Sequence, residues 1–173
     1  MDVLKVIKER RSIRSFKEQD IKKEDIEMLI EAARWAPSAG NTQPWEFVIV
    51  RRPDLKKELA EAALGQGFVE EAPIVIVVCA NENRSFQSYG IRGKTLYCIQ
   101  DTAAAIQNIH LVAHSLGLGT CWIGAFNEEE AAKILKVPNG VRPVAIVPVG
   151  YPAESPTPRG RRPLNQIVHY ETF

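Results

Sequence analysis

The sequence contains a continuous apolar run from Ile74 to Ala80, directly after Pro73. The run is rich in β-branched residues and has no polar face. This pattern is typical of a central β-strand that is covered on both faces. A second apolar run, from Val144 to Val149, has the same character. The sequence therefore predicts two buried strands, the first of them central to its sheet.

Helical periodicity is present on both sides of these runs. Apolar residues at helical spacing predict helices over 2–9, 21–34, 54–64, 95–116 and 127–135. Two further apolar segments predict strands over 45–50 and 120–124. Asp20, Asp54 and Asn127 are the expected N-caps. The longest helix carries three consecutive alanines, which permit close approach by another helix. We expect it to be the central packing helix.

The composition limits the class of protein. A chain of 173 residues with 45% hydrophobic and 25% charged residues predicts one globular domain over residues 1–173. The formal net charge of +1 argues against nucleic-acid binding, which usually needs a surplus of cations. Cys79, Cys98 and Cys121 lie in apolar surroundings and are expected to be buried free thiols of a reducing compartment. With no signal-like or membrane-spanning stretch, we expect a cytoplasmic protein with no membrane partner.

A short basic run follows the first predicted helix. It consists of Arg10, Arg11, Ser12, Ile13 and Arg14. Forked guanidinium donors with a hydroxyl between them suit a phosphate or another dianion, and they stay charged at physiological pH. The alternative is a solvated basic helix end, where arginine is favoured by the helix dipole. The run by itself leaves both interpretations open.

Three other segments are polar or rich in proline. Residues 37–45 (PSAGNTQPW) predict an exposed, well-defined loop whose amides and hydroxyls can bond the edge of a heterocycle, or an ordinary connection. Residues 81–94 predict a polar, mobile loop at the edge of a site. Residues 151–173 contain four prolines and three arginines before an apolar ending. This tail has no evident partner in its own domain, so we expect it to pack on another subunit.

Common catalytic motifs are absent from the sequence. Gly117 and Gly119 follow a helix and precede a strand, the reverse of a dinucleotide-binding fingerprint. His110 and His114 have the i, i+4 spacing of zinc ligands, but no adjacent Glu or third ligand accompanies them, and no metal is expected. There is no Walker loop, nucleophile elbow or redox Cys pair. If the protein is an enzyme, a bound cofactor must carry the difficult chemistry.

Four motifs together resemble the FMN-dependent nitroreductase family. They occur in the family's order and spacing, over nearly the whole chain: the run at 10–14, the loop at 37–45, TCWIGAF at 120–126 and RGRRP at 159–163. The resemblance implies an α+β, three-layer α/β/α fold with a mixed, mostly antiparallel sheet flanked by helices. It also implies an intertwined homodimer with two FMN sites at the subunit interface.

The same resemblance implies roles for individual residues. Arg10, Ser12, Arg159 and Arg161 resemble the ligands of the FMN phosphate, and Arg11 lines the same region. Three guanidinium groups would neutralise a dianionic phosphate that is partly desolvated.

The implied contacts to the flavin ring come from other segments. Arg14 resembles the cation near flavin N1 and O2, where it would favour the reduced form. A backbone segment would pass along the isoalloxazine edge, with the Gly124 amide near N5: Trp122, Ile123, Gly124 and Ala125. The partner subunit would supply Pro37, Ser38 and Asn41. Larger relatives use an Asn and Lys pair that this chain lacks, and Gln66 is the expected partial substitute. Phe86 and Tyr89 are expected to cover the substrate.

The implied function is that of an FMN-dependent NAD(P)H oxidoreductase. NADH or NADPH passes hydride to flavin N5 and leaves, and an electron-poor acceptor such as a nitroaromatic or a quinone takes its place. One site then serves both half-reactions, which predicts ping-pong kinetics, and no acid or base side chain is required. The scaffold also supports dehalogenation and dehydrogenation, and a non-catalytic FMN storage or sensor role stays open.

Overall fold

A computed structural model describes residues 2–173 as a four-stranded antiparallel sheet with helices on both faces. The strands are β1 (Trp45–Val50), β2 (Ile74–Asn81), β3 (Gly119–Thr120) and β4 (Val141–Gly150), in the order β1-β2-β4-β3. The helices are α1 (Val3–Glu9), α2 (Lys23–Arg34), α3 (Pro53–Ala62), α4 (Phe68–Glu71), α5 (Glu82–Arg92), α6 (Cys98–Ser115) and α7 (Glu128–Leu135). Short 3-10 turns lie at Ala39–Asn41 and Leu164–Gln166, and a π-helical segment lies at Gly93–Tyr97.

Strand β2 is the centre of the domain, as its apolar run predicts. It pairs with β1 on one side and β4 on the other. Ile76 and Val78 belong to a core that includes residues of α2 and α6. Val75 and Val77 face the opposite way, into a core with residues of α3 and α7. Because successive side chains of a strand alternate between faces, one apolar run serves both cores. The predicted three-layer α+β fold is confirmed.

The prediction of a polar loop at 81–94 is wrong. Asn81 is an N-cap whose side chain accepts a hydrogen bond of 3.0 Å from the first turn of α5. Gly90 carries a kink inside the helix, with φ of 56°. A Cβ on Gly93 would collide with the carbonyl of Ser85, so the absence of a side chain lets the two turns touch. The polar composition belongs to a helix with one solvent-facing side.

Other boundaries shift for local reasons. The longest helix begins at Cys98, because residues 93–97 form the π-helical segment before it. Asp20 lies too far from the start of α2 to cap it. Asp54 is in the first turn of α3 rather than at its cap, where a carboxylate still favours the helix dipole. The predicted cap at Asn127 is confirmed, since its side chain accepts from the N–H of Glu130.

The predicted strand at 120–124 is only partly correct. β3 has two residues, and Ile123 pairs alone with Ile146 further along. The register that joins these pairs would place Cys121 opposite Pro148, at a hydrogen-bonded position of the ladder. Proline has no N–H to donate, so the ladder is interrupted there. The interruption releases residues 121–122 from the sheet.

Apolar side chains at both ends of the chain are exposed. Of the apolar residues of α1, only Val6 is buried, while Val3, Leu4 and Ile7 face solvent. The tail also exposes five large apolar side chains: Leu164, Ile167, Val168, Tyr170 and Phe173. These surfaces have no cover within their own domain.

Two sequence expectations concern the interior and the membrane. Cys79, Cys98 and Cys121 are buried and unpaired, as predicted. Within residues 2–173, no helix combines the length and the apolar character that crossing a membrane requires.

Candidate functional site

The basic run and the C-terminal tail meet at one cleft of about 540 Å³, called here the basic cleft. Its lining comes from α1, the run, α6 and the tail: Ile7, Lys8, Arg10, Arg11, Ser12, Arg14, Gln107, Pro156, Thr157, Arg159 and Arg161. This set includes all five residues that the sequence assigns to the phosphate region, and it also includes Arg14, which the sequence assigns to the flavin ring. The fold thus brings together segments that lie far apart in the chain.

The local backbone explains how the run faces the cleft. Arg10 ends α1, donating its N–H to the carbonyl of Val6 at 3.0 Å. The run then continues beside β3, where the N–H of Ile13 donates to the carbonyl of Thr120 at 2.9 Å. Ile13 is buried against Gly119, and a Cβ on that glycine would lie 2.6 Å from Ile13 Cγ1. Because Ile13 points inward, its neighbours along an extended segment point outward.

The cleft holds a concentration of positive charge. Within the described residues, none of the arginines that line the cleft forms an ion pair. Arg11 donates to backbone carbonyls, at 2.6 Å to that of Lys8 and 2.9 Å to that of Arg10. The pKa of Arg10 is lowered by burial and by the nearby charges of Arg161 and Arg11. An anion bound here would relieve this repulsion, so the donor set fits a phosphate monoester.

A second part of the candidate site is the backbone at residues 122–125. Trp122, Gly124 and Ala125 are exposed, whereas Ile123 is buried. The nearest side-chain atom to a Cβ built on Gly124 is 3.9 Å away, so the chain itself leaves that position open. Gln66 reaches the segment, with its amide 3.4 Å from the carbonyl of Ala125. The N–H and C=O of Ile123 are bonded to Ile146, so this exposed edge offers chiefly the backbone at Gly124 to a planar ligand.

The predicted loop at 37–45 lies elsewhere. Ser38 Oγ accepts from the N–H of Gln43 at 3.0 Å, and the Asn41 side chain accepts from the Gln43 amide at 3.2 Å. The N–H of Ala39 donates to Asp101 of α6 at 3.1 Å. Pro37 is exposed. The lining of the basic cleft includes no residue of this loop, within the described chain.

Behind the run lies a buried imidazole. His110 of α6 is 3% exposed, and its Nδ1 forms a hydrogen bond of 2.7 Å with Thr120 Oγ1. Its ring lies 5.9 Å from the ring of Trp122. Burial, and then the Arg10 guanidinium, lower the pKa of His110 to about 4. His110 is therefore neutral at physiological pH, and its hydrogen-bond partner is the Thr120 hydroxyl.

Sequence reasoning missed Gln107, and it assigned no role in the site to Gly119 or Thr120. One signal was available, because Gln107, His110 and His114 form a polar stripe at i, i+3 and i+7 on a largely apolar helix. Such a stripe indicates that the helix faces something polar along that side. No local pattern marks Gly119, since its role depends on a contact with a residue more than 100 positions earlier.

Acid unfolding should report on His110. The native pKa of His110 is lowered to about 4 from 6.5, so between these values the unfolded chain binds more protons. The contribution of His110 to the free energy of unfolding should therefore fall by about 3 kcal/mol as the pH drops from 6.5 to 4. Urea unfolding of the wild-type and His110→Asn apoproteins at pH 7 and pH 4 isolates this loss. The difference in free energy of unfolding between the wild type and His110→Asn should shrink by that amount from pH 7 to pH 4. A difference that is independent of pH would contradict the lowered pKa of His110.

The fold and the cleft together define a class: an α+β protein whose arginine cluster fits a phosphate-bearing cofactor beside an exposed backbone edge. The chain matches the family model "Nitroreductase family" over residues 7–80 and 63–151. The chain therefore belongs to the nitroreductase family.

Individual relatives resemble the chain over most of its length. A relative from Methanothermobacter thermautotrophicus, named for NADH dehydrogenase and NAD(P)H nitroreductase activities, is 37% identical over 163 residues, covering 92% of this chain and 82% of the relative. FMN reductase (NAD(P)H) of Bacillus subtilis is 31% identical, covering 99% and 74%. The solved structure of NADPH:FMN oxidoreductase from Vibrio harveyi, complexed with NAD+, superposes with a TM-score of 0.91 at 27% identity, covering 99% and 77%.

Proposed function

We propose that the chain is an FMN-dependent NAD(P)H oxidoreductase that reduces electron-poor acceptors such as nitroaromatics and quinones. The observation that carries this proposal is the convergence of unpaired arginines from two distant segments on the basic cleft. Relatives named as FMN reductases and as an NADPH nitroreductase support the same activity.

Each part of the candidate site has a role in this proposal. Arg10, Ser12, Arg159 and Arg161 hold the phosphate, and Arg11 adds positive charge to the same region. When bound, FMN supplies the redox chemistry, accepting hydride from NADH or NADPH and passing it to the acceptor. Charge-assisted hydrogen bonds from guanidinium groups are the strong ones, so the phosphate end anchors the cofactor.

In this proposal, the backbone of residues 122–125 would hold the ring of the cofactor. The backbone there offers hydrogen bonds without a side chain at Gly124 to obstruct a planar ligand. Arg14 supplies the cation beside N1 and O2. Gln66, already in contact with the Ala125 carbonyl, lies at the same edge. No side chain of the site needs to act as acid or base, since solvent supplies protons.

We further propose a homodimer of single-domain chains, with the tail at 151–173 packed on the partner. Exposed apolar groups on the tail and on α1 support this assembly, since they have no cover in one chain. In the dimer, Pro37, Ser38 and Asn41 of each chain complete the site of the other. The proposed location is the cytoplasm, in keeping with three buried free thiols.

Steady-state kinetics test the reaction class. With NADH or NADPH varied against a quinone or a nitroaromatic, double-reciprocal plots should give parallel lines, because one site serves both half-reactions. Lines that intersect would indicate a ternary complex and count against the shared site. Tight FMN binding with negligible turnover would favour a storage or sensor role, and turnover confined to dehalogenation or dehydrogenation would favour another chemistry.

Replacing Arg14 should change the potential of the bound flavin. A cation near N1 and O2 stabilises the negative charge of the reduced form by about 1.5 to 3 kcal/mol. Arg14→Ala should therefore lower the two-electron midpoint potential by about 30 to 65 mV. Spectroelectrochemical titration of the holoprotein measures the shift. An unchanged midpoint would remove Arg14 from the ring site, even if FMN affinity falls.

A further inference from the structure

One buried polar pair has no part in the proposed chemistry. His110 and Thr120 are 3% and 2% exposed, and their side chains are joined by the 2.7 Å hydrogen bond. Burying polar groups costs free energy that the bond only compensates. A pair of apolar residues would fill the same space, so the position of this pair suggests a further role.

Thr120 is a junction between three elements. Its side chain is held by His110 of α6, and it pairs with Val149 of β4. Its carbonyl accepts the N–H of Ile13 at 2.9 Å, and Ser12 forms a parallel bridge with it. The conformation of Thr120 therefore sets where the basic run lies on the sheet.

The basic run has few other tethers near the cleft. Arg10 is attached to α1 through its backbone N–H, and the backbone N–H of Arg14 bonds to the Glu154 side chain. Between them, the run is fixed by Thr120, by the packing of Ile13 on Gly119 and by the contact of the Ser12 side chain with the Cys121 thiol. A displaced Thr120 would thus move Ser12 directly.

His110 also affects the charge behind the cleft. The charged group facing it is the Arg10 guanidinium, and the ring beside it is that of Trp122. A neutral imidazole adds no further positive charge to a cluster that already repels itself. A lysine or arginine in this position would do so.

We propose that His110 is a positioning residue for the cofactor phosphate: through Thr120, it fixes the basic run so that Arg10 and Ser12 face the basic cleft. This inference rests on the proposed function, since it concerns the same phosphate. It assigns to His110 no contact with the cofactor and no proton transfer.

Four substitutions separate the hydrogen bond from the packing. His110→Asn keeps a hydrogen-bonding group near the position of Nδ1, and His110→Leu removes it. Thr120→Ser keeps the hydroxyl, and Thr120→Val removes it at similar volume. Thr102→Val is the matched control, because Thr102 is a buried threonine of α6 whose hydroxyl bonds to the carbonyl of Cys98 at 2.8 Å, away from the cleft.

The measurement is the dissociation constant of the apoprotein for FMN and for riboflavin, which lacks the phosphate, by quenching of flavin fluorescence. His110→Leu and Thr120→Val should weaken FMN binding about tenfold and leave riboflavin binding within about twofold, as expected when one buried hydrogen bond is lost at the phosphate end. His110→Asn and Thr120→Ser should bind FMN nearly as the wild type does. Because the two sites act through one bond, the double variant His110→Leu with Thr120→Val should lose little more than either single variant.

Other outcomes would overturn the inference. If the apolar variants lose equal affinity for FMN and riboflavin, or lose none, the pair is purely structural. The control Thr102→Val should lower only the stability of the apoprotein. If one apolar variant fails to fold, the other carries the same comparison. Wild-type protein that binds FMN while both apolar variants bind it equally well overturns this inference alone. Wild-type protein that binds no FMN overturns the proposed function as well.

Discussion

Arg10→Gln is expected to raise the dissociation constant for FMN about 10- to 150-fold, because it removes a charge-assisted hydrogen bond worth about 1.5 to 3 kcal/mol. Arg10 combines partial burial with two neighbouring cations, Arg161 and Arg11, so its charge is the one that an anion stabilises most. Titration of the apoprotein with FMN, followed by fluorescence quenching, measures the change. Riboflavin affinity should stay nearly constant, because riboflavin has no phosphate.

Although Arg10→Gln should weaken FMN binding, it should not destabilise the apoprotein. Without the phosphate, removing Arg10 relieves repulsion within the cluster, so the free energy of unfolding should not fall. Arg51→Gln is the matched control, since Arg51 is an exposed arginine between β1 and α3. It should leave FMN affinity unchanged. An Arg10→Gln protein that binds FMN as tightly as this control would place the phosphate outside the basic cleft.

Deleting residues 164–173 is expected to convert the proposed dimer into a monomer. The segment carries all five of the exposed large apolar side chains of the tail. Burying one such side chain is worth about 1.5 to 3 kcal/mol, so their combined loss approaches or exceeds the roughly 8 kcal/mol between a nanomolar and a millimolar dimer. Light scattering should show a mass somewhat below the 19.3 kDa of one full chain for the truncated protein, against about twice 19.3 kDa for the full-length protein.

The truncation should spare the core. The backbone hydrogen bonds of residues 164–173 are local, as in the bond of Val168 to the carbonyl of Leu164. Leu64→Asn is the control: Leu64 is an exposed leucine with positive φ, which asparagine tolerates, and the variant should stay dimeric. A full-length chain that is monomeric would contradict the proposed assembly. A truncated chain that remains dimeric would assign the interface to other surfaces.

The layers of the fold could be predicted because their signals are local. The apolar run of β2 and the helical periodicity of α2 and α6 each depend on residues close together in the chain. The cap at Asn127 is likewise read from four consecutive residues. Helix α5 escaped prediction because its polar composition resembles that of a loop, and because the contact between Gly93 and Ser85 is visible only in the folded helix.

In the candidate site, too, the local features could be predicted and the contacts between distant segments could not. The basic run is a local motif, and its resemblance to a known family indicated the arginines at 159 and 161. The contact of Ile13 with Gly119, and the bond of His110 to Thr120, depend on the approach of distant elements. The interruption of β3 is an intermediate case, since it depends on Pro148 only once the register with β4 is known.

The proposed activity requires that the chain holds FMN and that NADH or NADPH reduces it. The direct measurement is the visible absorption spectrum of the purified protein, reconstituted with FMN if necessary, before and after anaerobic addition of each nucleotide. We expect flavin absorption bands that bleach within seconds with at least one nucleotide and return on addition of a quinone. A protein that neither carries FMN nor takes it up would contradict the proposed function, including the assignment of the basic run to the cofactor phosphate.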